Sequence, residues 1–187
     1  MEVYHYSEEP NIAQFVPRPP PARVPGLPGS ASPVAEGRRV VWAIDAWHSP
    51  LYYFPRDCPR IMFWPLATTT RADREHWLGA SSAERVGAIE WGWLERVRTT
   101  RLYRYVLDAT AFARLEGPNV SPGTSLSDRP VTPTRVEILD DLLRALREAG
   151  VELRLMPTLT ALKDVWSSTL HASGVRLRNA AAWPRSE

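Results

Sequence analysis

Few side chains in this sequence could do acid–base, nucleophilic or metal chemistry. There are four histidines (His5, His48, His76 and His171) and a single cysteine, Cys58. His5 is the best placed. It lies inside Val3-Tyr4-His5-Tyr6, an aromatic and β-branched run with the composition of a strand. Strand alternation sends His5 and Ser7 to one face and Tyr4 and Tyr6 to the other. An imidazole held this way can make one directed hydrogen bond in a pocket, or serve as a half-buried structural histidine. The densest set of polar and aromatic side chains is Asp45, His48, Tyr52, Tyr53, Arg56, Asp57 and Cys58. If residues 45–53 are helical, His48 and Tyr52 stand at i, i+4 on one side. A cysteine nucleophile needs an activating base beside it. Cys58, between Asp57 and Pro59, reads better as a small buried thiol.

Other chemistries lack their patterns. Neither HxxxH nor HExxH occurs, so no metal is expected, and neither GxGxxG nor GxxxxGK is present to cradle a phosphate. Glu8-Glu9 and Asp140-Asp141 read as a solvated loop and a helix start. Glu90, between Ile89 and Trp91, needs a partner, because burying an unpaired carboxylate raises its pKa. Trp91-Gly92-Trp93 belongs to a set of eight tryptophans whose apolar area reads as core.

The elements that must position these groups come from composition and pattern. The chain has 187 residues, 44% of them hydrophobic and 24% charged, the make-up of one globular domain spanning 1–187. No apolar run approaches the roughly 20 residues that cross a bilayer. The start of the chain lacks the basic-then-apolar layout of a secretory signal. With one cysteine, no intrachain disulfide forms, and a reducing, cytoplasmic setting is expected. The net charge is +2, with Lys163 the sole lysine and the other basic residues scattered arginines. A nucleic-acid footprint would be a basic stripe with a larger charge, so neither a nucleic-acid nor a membrane partner is expected.

Eight of the 18 prolines fall between Pro10 and Pro33, which makes about 17–38 a proline-rich loop or arm without helix or strand. Strands are expected at Val40–Ile44, Arg60–Trp64, Val86–Trp91, Arg101–Asp108 and Val151–Met156. A further edge segment is expected over Pro130–Ile138, broken by Pro133. Asp45 should cap a short helical segment through Tyr52, and Thr70 a helix closed by Gly79. Glu116–Ser127 reads as loop. Leu139, Leu142, Leu143 and Leu146 form an i, i+3, i+4, i+7 stripe, predicting a helix over 139–149. Thr158 caps a second over 158–170, carrying Leu159, Leu162, Trp166 and Leu170. The sum is an α+β fold: a twisted, mixed or mostly antiparallel β-sheet core with peripheral helices and a helical C-terminal part.

Two resemblances attach to these residues. Tyr4-His5-Tyr6-Ser7-Glu8-Glu9, Trp42-Ala43-Ile44-Asp45, Phe54-Pro55-Arg56-Asp57-Cys58-Pro59-Arg60 and Ile89-Glu90-Trp91-Gly92-Trp93-Leu94-Glu95-Arg96 resemble a family of uncharacterised bacterial proteins, along nearly the whole chain. That likeness implies no activity. The opening Tyr4-His5-Tyr6-Ser7 strand, a long loop, then an apolar strand and a tyrosine-bearing element also resemble the ADP-ribosyltransferase superfamily. That resemblance implies a transferase using NAD. His5 would bond the nicotinamide-side ribose, Tyr52 or Tyr53 would stack on nicotinamide, and a polar residue near a late strand would orient the reacting group. No Glu stands in that late position, where Ser127-Asp128-Arg129 leaves Asp128. His5, Ser7, Arg18, Tyr53 and Arg56 are then expected around the cofactor, with Arg18 or Arg56 meeting a phosphate through a bidentate fork. The alternatives are a non-catalytic domain binding a nucleotide or small metabolite, and an interaction protein using its proline-rich arm. Fold alone does not choose among them.

Overall fold

The computed structural model describes residues 1–19, 39–115 and 122–184. Most of the expected proline-rich loop, and the first part of the expected 116–127 loop, lie outside the described residues. The strands are β1 Glu2–Ser7, β2 Val41–Ile44, β3 Arg60–Trp64, β4 Arg85–Glu90 and β5 Leu102–Asp108. They continue as β6 Ala113–Arg114, β7 Thr124–Ser127, β8 Arg135–Leu139, β9 Val151–Met156 and β10 His171–Val175. The α-helices are α1 Arg71–Leu78, α2 Leu94–Thr99 and α3 Leu142–Glu148. The fold is α+β with two mostly antiparallel sheets.

The sequence reads as one domain; by contacts the chain divides into two compact units, each drawn from two stretches. Unit 1 is Met1–Arg56 with Thr100–Asp140, and unit 2 is Asp57–Thr99 with Asp141–Glu187.

Unit 1 carries an antiparallel sheet in the order β6-β7-β2-β1-β5-β8. β1 is an inner strand, with His5 opposite Tyr105 and Tyr4 opposite both Val106 and Ile44. Because successive side chains alternate, one face collects Val3, Val41, Ala43, Tyr105 and Leu107, packed with Phe15 and Val131. The segment after β1 lies over this face and is pinned by Tyr105, whose hydroxyl donates to Glu9 O (2.5 Å) and accepts from Ile12 N (3.0 Å). Phe15 and Val131 then exchange both backbone bonds, at 2.8 and 2.9 Å. Arg18 and Val40 form a second isolated bridge, so the start of the 17–38 stretch is tied to the sheet.

Three expectations for unit 1 need correction. Residues 45–53 are not one helix: a turn over 46–48 leads into a 3₁₀ segment, Ser49–Tyr52, with Pro50 in its first turn. The expected loop ending at Ser127 contains β7, which pairs with β2 from Ile44↔Thr124 to Val41↔Ser127. Its Thr and Ser residues carry no apolar alternation to read. Finally, Leu139 ends β8, the sheet's edge strand, instead of opening a helix.

Unit 2 has a sheet in the order β10-β3-β4-β9, with β4 and β9 parallel and the other pairs antiparallel. Every residue of β3 and β4 is buried, the signature of a sheet covered on both faces. Thr70 caps α1 by accepting from Asp73 N, and Gly79 closes it at φ +58°. Asp141 caps α3, which is shorter than the predicted 139–149.

The expected helix at 158–170 is a 3₁₀ segment, Leu159–Ser167, capped by Thr158. Its buried residues are Leu159, Leu162 and Val165, every third position, which suits three residues per turn and not 3.6. The chain then enters β10 and not a longer helix. His-Ala-Ser-Gly-Val has weak strand composition and is held by pairing with β3. Trp91 is also no core residue: it is 57% exposed.

Candidate functional site

The site begins with β1. Its pairing with β2 brings the His5 ring against that strand's backbone, with Nδ1 2.9 Å from Trp42 O. A carbonyl oxygen only accepts, so Nδ1 carries the proton. Burial lowers the His5 pKa below its ordinary value; the Trp42 bond acts the other way, and the positive charges of Arg56 and Arg18 lower it further. The ring is therefore a neutral imidazole whose Nε2 is a bare acceptor. Nε2 has no hydrogen-bond partner among the described residues. Phe15 packs on the ring with centroids 4.5 Å apart, fixing its orientation.

Both arginines are exposed, Arg18 between Pro17 and Pro19 and Arg56 just past Pro55. Arg18 is fixed through its backbone bridge to Val40, and Arg56 through its amide, which donates to Glu8 Oε1 at 2.7 Å. The sheet thus places one uncharged acceptor within the field of two guanidinium groups, an arrangement suited to a ligand carrying both hydroxyl and phosphate.

The other sequence-predicted residues divide. Tyr52 and Tyr53 do not pack on His5. They meet Tyr6, with ring centroids at 6.4 Å (stacked) and 5.4 Å (tilted), on the side of β1 opposite His5. The buried Tyr6 hydroxyl has no hydrogen bond of normal geometry; burial pushes its pKa up, and the neighbouring Tyr53 adds to this. Ser7 is engaged locally, its Oγ accepting from Glu9 N at 3.1 Å. Asp128 is exposed just past β7 and lies 4.0 Å from Arg129.

Asp45 and His48 form a second constellation in unit 1. The Asp45 carboxylate accepts from His48 Nδ1 (2.7 Å) and from His48 N (2.9 Å). Asp45 N in turn donates to Gly123 O at 2.9 Å. Gly123 sits at φ +75°, and a Cβ there would fall 2.2 Å from His48 Nδ1, so only glycine lets this loop close over the pair. The exposed Trp47 meets the His48 ring edge-on at 4.6 Å.

Unit 2 uses its polar groups internally. Buried Glu90 accepts from Leu159 N (3.2 Å) and from Ala181 N (3.0 and 3.1 Å), which supplies the partner its position demanded. Cys58 is fully buried, its thiol pushed up to about 12 by burial, so it is no nucleophile at neutral pH. Among the described residues, no three His, Cys, Asp or Glu side chains group as metal ligands. Nor, among them, is any helix long and apolar enough to cross a membrane.

Residue types single out His5, Arg18 and Arg56, the last two acting on the His5 ring through their charge, but they give no hint of the Trp42 carbonyl, Phe15 and Tyr105. The first is backbone and carries no side-chain signal. The other two read as ordinary apolar positions. Comparison with curated proteins and with solved structures gives no match. Residues 4–180, nearly the whole chain, match a family of unknown function, DUF6886, and the chain belongs to that family.

Proposed function

We propose that unit 1 binds a small molecule bearing ribose and phosphate, of the NAD or ADP-ribose kind, with His5 at the centre of the site. The observation that carries this is the His5 imidazole: neutral, locked in the Nδ1–H tautomer by Trp42 O, and with Nε2 unpartnered among the described residues. Such a nitrogen accepts from a hydroxyl and rejects a carboxylate or phosphate oxygen, which has no proton to give. Arg18 and Arg56, whose charges reach this ring, supply the complementary attraction for phosphate. Binding is the core of the reading. Transferase chemistry on the bound molecule is its extension, with Asp128 as the polar late-strand residue and with no stacking role for Tyr52 or Tyr53, which lie across the sheet with Tyr6.

A thermal-shift panel with NAD, ADP-ribose, free ribose and inorganic phosphate tests it, since a ligand that binds the native state raises the midpoint. NAD or ADP-ribose should raise it, and neither half alone should match them. Equal shifts with phosphate alone would reduce the site to an anion patch. No shift with any of them at millimolar concentration contradicts the reading. Release of nicotinamide from NAD, followed by chromatography, reports separately on the extension.

A further inference from the structure

Unit 2 contains a cleft of about 530 Å³ that has no part in the His5 site. It is lined by Arg98 at the end of α2 and by Asp141, Leu143, Arg144 and Arg147 around α3. Arg144 and Arg147 stand at i, i+3, so they share one side of α3. Three guanidinium groups thus converge on one opening that has a single carboxylate in its wall. That carboxylate is already committed: Asp141 Oδ1 accepts from Arg144 N at 2.8 Å as the helix cap.

Ordinary helix electrostatics explains part of the set. Arg98 and Arg147 lie in last turns, where the macrodipole favours cations. Arg144 lies in the first turn of α3, where it does not. Its acidic neighbour Glu148 stands 4.0 Å away. The guanidinium groups of Arg98 and Arg147 have no hydrogen bond or ion pair among the described residues. Gathering three like charges costs energy that a bound anion would return, and the planar fork of arginine suits paired phosphate oxygens.

We infer that this cleft is an anion site for a ligand with two adjacent phosphoryl groups, held by Arg98, Arg144 and Arg147. A diphosphate offers oxygens at both ends to forks drawn from two helices. The site is separate from His5 and stands or falls independently of it.

The test is calorimetric titration of the full chain with inorganic pyrophosphate, and with orthophosphate as the shorter probe, at constant ionic strength. Pyrophosphate should bind at least tenfold more tightly than orthophosphate. Arg147→Ala and Arg98→Ala should each weaken it about tenfold, with unchanged thermal midpoints because both side chains are exposed. Arg74→Ala, at an exposed arginine of α1 that does not line the cleft, should leave pyrophosphate affinity unchanged. Three results overturn the inference: no pyrophosphate binding at millimolar concentration, binding indifferent to Arg98→Ala and Arg147→Ala, or binding lost in Arg74→Ala alone.

Discussion

The two units put their polar side chains to different uses. In unit 2 the carboxylate of Glu90 is satisfied by two backbone amides, the Arg60 guanidinium donates to Cys58 O, and Arg85 and Arg154 donate to the carbonyls of Ala149 and Trp77. These groups stitch segments together, although the buried Nε of Arg85 makes no hydrogen bond of normal geometry. In unit 1 the His5 imidazole has one nitrogen committed and one open, and the Tyr6 hydroxyl is buried without a well-formed bond. The contrast separates a scaffold from a site.

The largest effect should come from breaking the scaffold. Glu90→Ala leaves the amides of Leu159 and Ala181 without their acceptor, and should cost about 3 kcal/mol, the scale of losing hydrogen bonds to a charged group. Chemical denaturation measures it as a lower midpoint at unchanged slope. Ligand affinity in unit 1 should not change in the fraction that stays folded. Gly123→Ala comes next. Its added methyl meets both the left-handed backbone and the Asp45–His48 pair, and it should cost about 2 kcal/mol.

Replacing His5 by Ala should reverse the balance between stability and binding. Ligand affinity should fall by about 1–3 kcal/mol, while denaturation shows a smaller loss. The histidine also leaves a pH signature. Its native pKa lies below the unfolded value, so as pH falls through about 6.5 the unfolded chain takes up a proton that the native ring resists. Stability is thus full above that range and declines below it, until the native ring also protonates. The His5→Ala variant should lack this component of acid sensitivity. The smallest scaffold effect expected is Thr70→Ala, at about 1 kcal/mol for a lost helix cap.

Much of this contrast is legible in the sequence, and the parts that are not share a cause. β1, β2 and β3 announce themselves through apolar and aromatic runs, α1 through its Thr70 cap and Gly79 stop, and Glu90 through its apolar neighbours. β7 and β10 are invisible because Thr-Ser-Leu-Ser and His-Ala-Ser-Gly-Val become strands only by pairing with β2 and β3. The 3₁₀ segment 159–167 reads as α-helix because the Leu159–Leu162 spacing fits both periods, and only burial of Val165 decides. In the site, residue types point to His5 and the arginines. The tyrosine wall expected beside His5 stands instead across the sheet with Tyr6, because β1 alternates and the chain after β2 returns over its other side.

The central claim is that His5 presents a neutral acceptor nitrogen to a ligand. Nitrogen-15 NMR of the labelled histidines at pH 7 tests it most directly, because the two ring nitrogens report protonation and tautomer separately. The account predicts a His5 ring with Nδ1 protonated and Nε2 bare, whose Nε2 resonance moves on addition of NAD or ADP-ribose. A His5 ring that is doubly protonated at pH 7, or one whose Nε2 resonance stays fixed at saturating ligand, would contradict it.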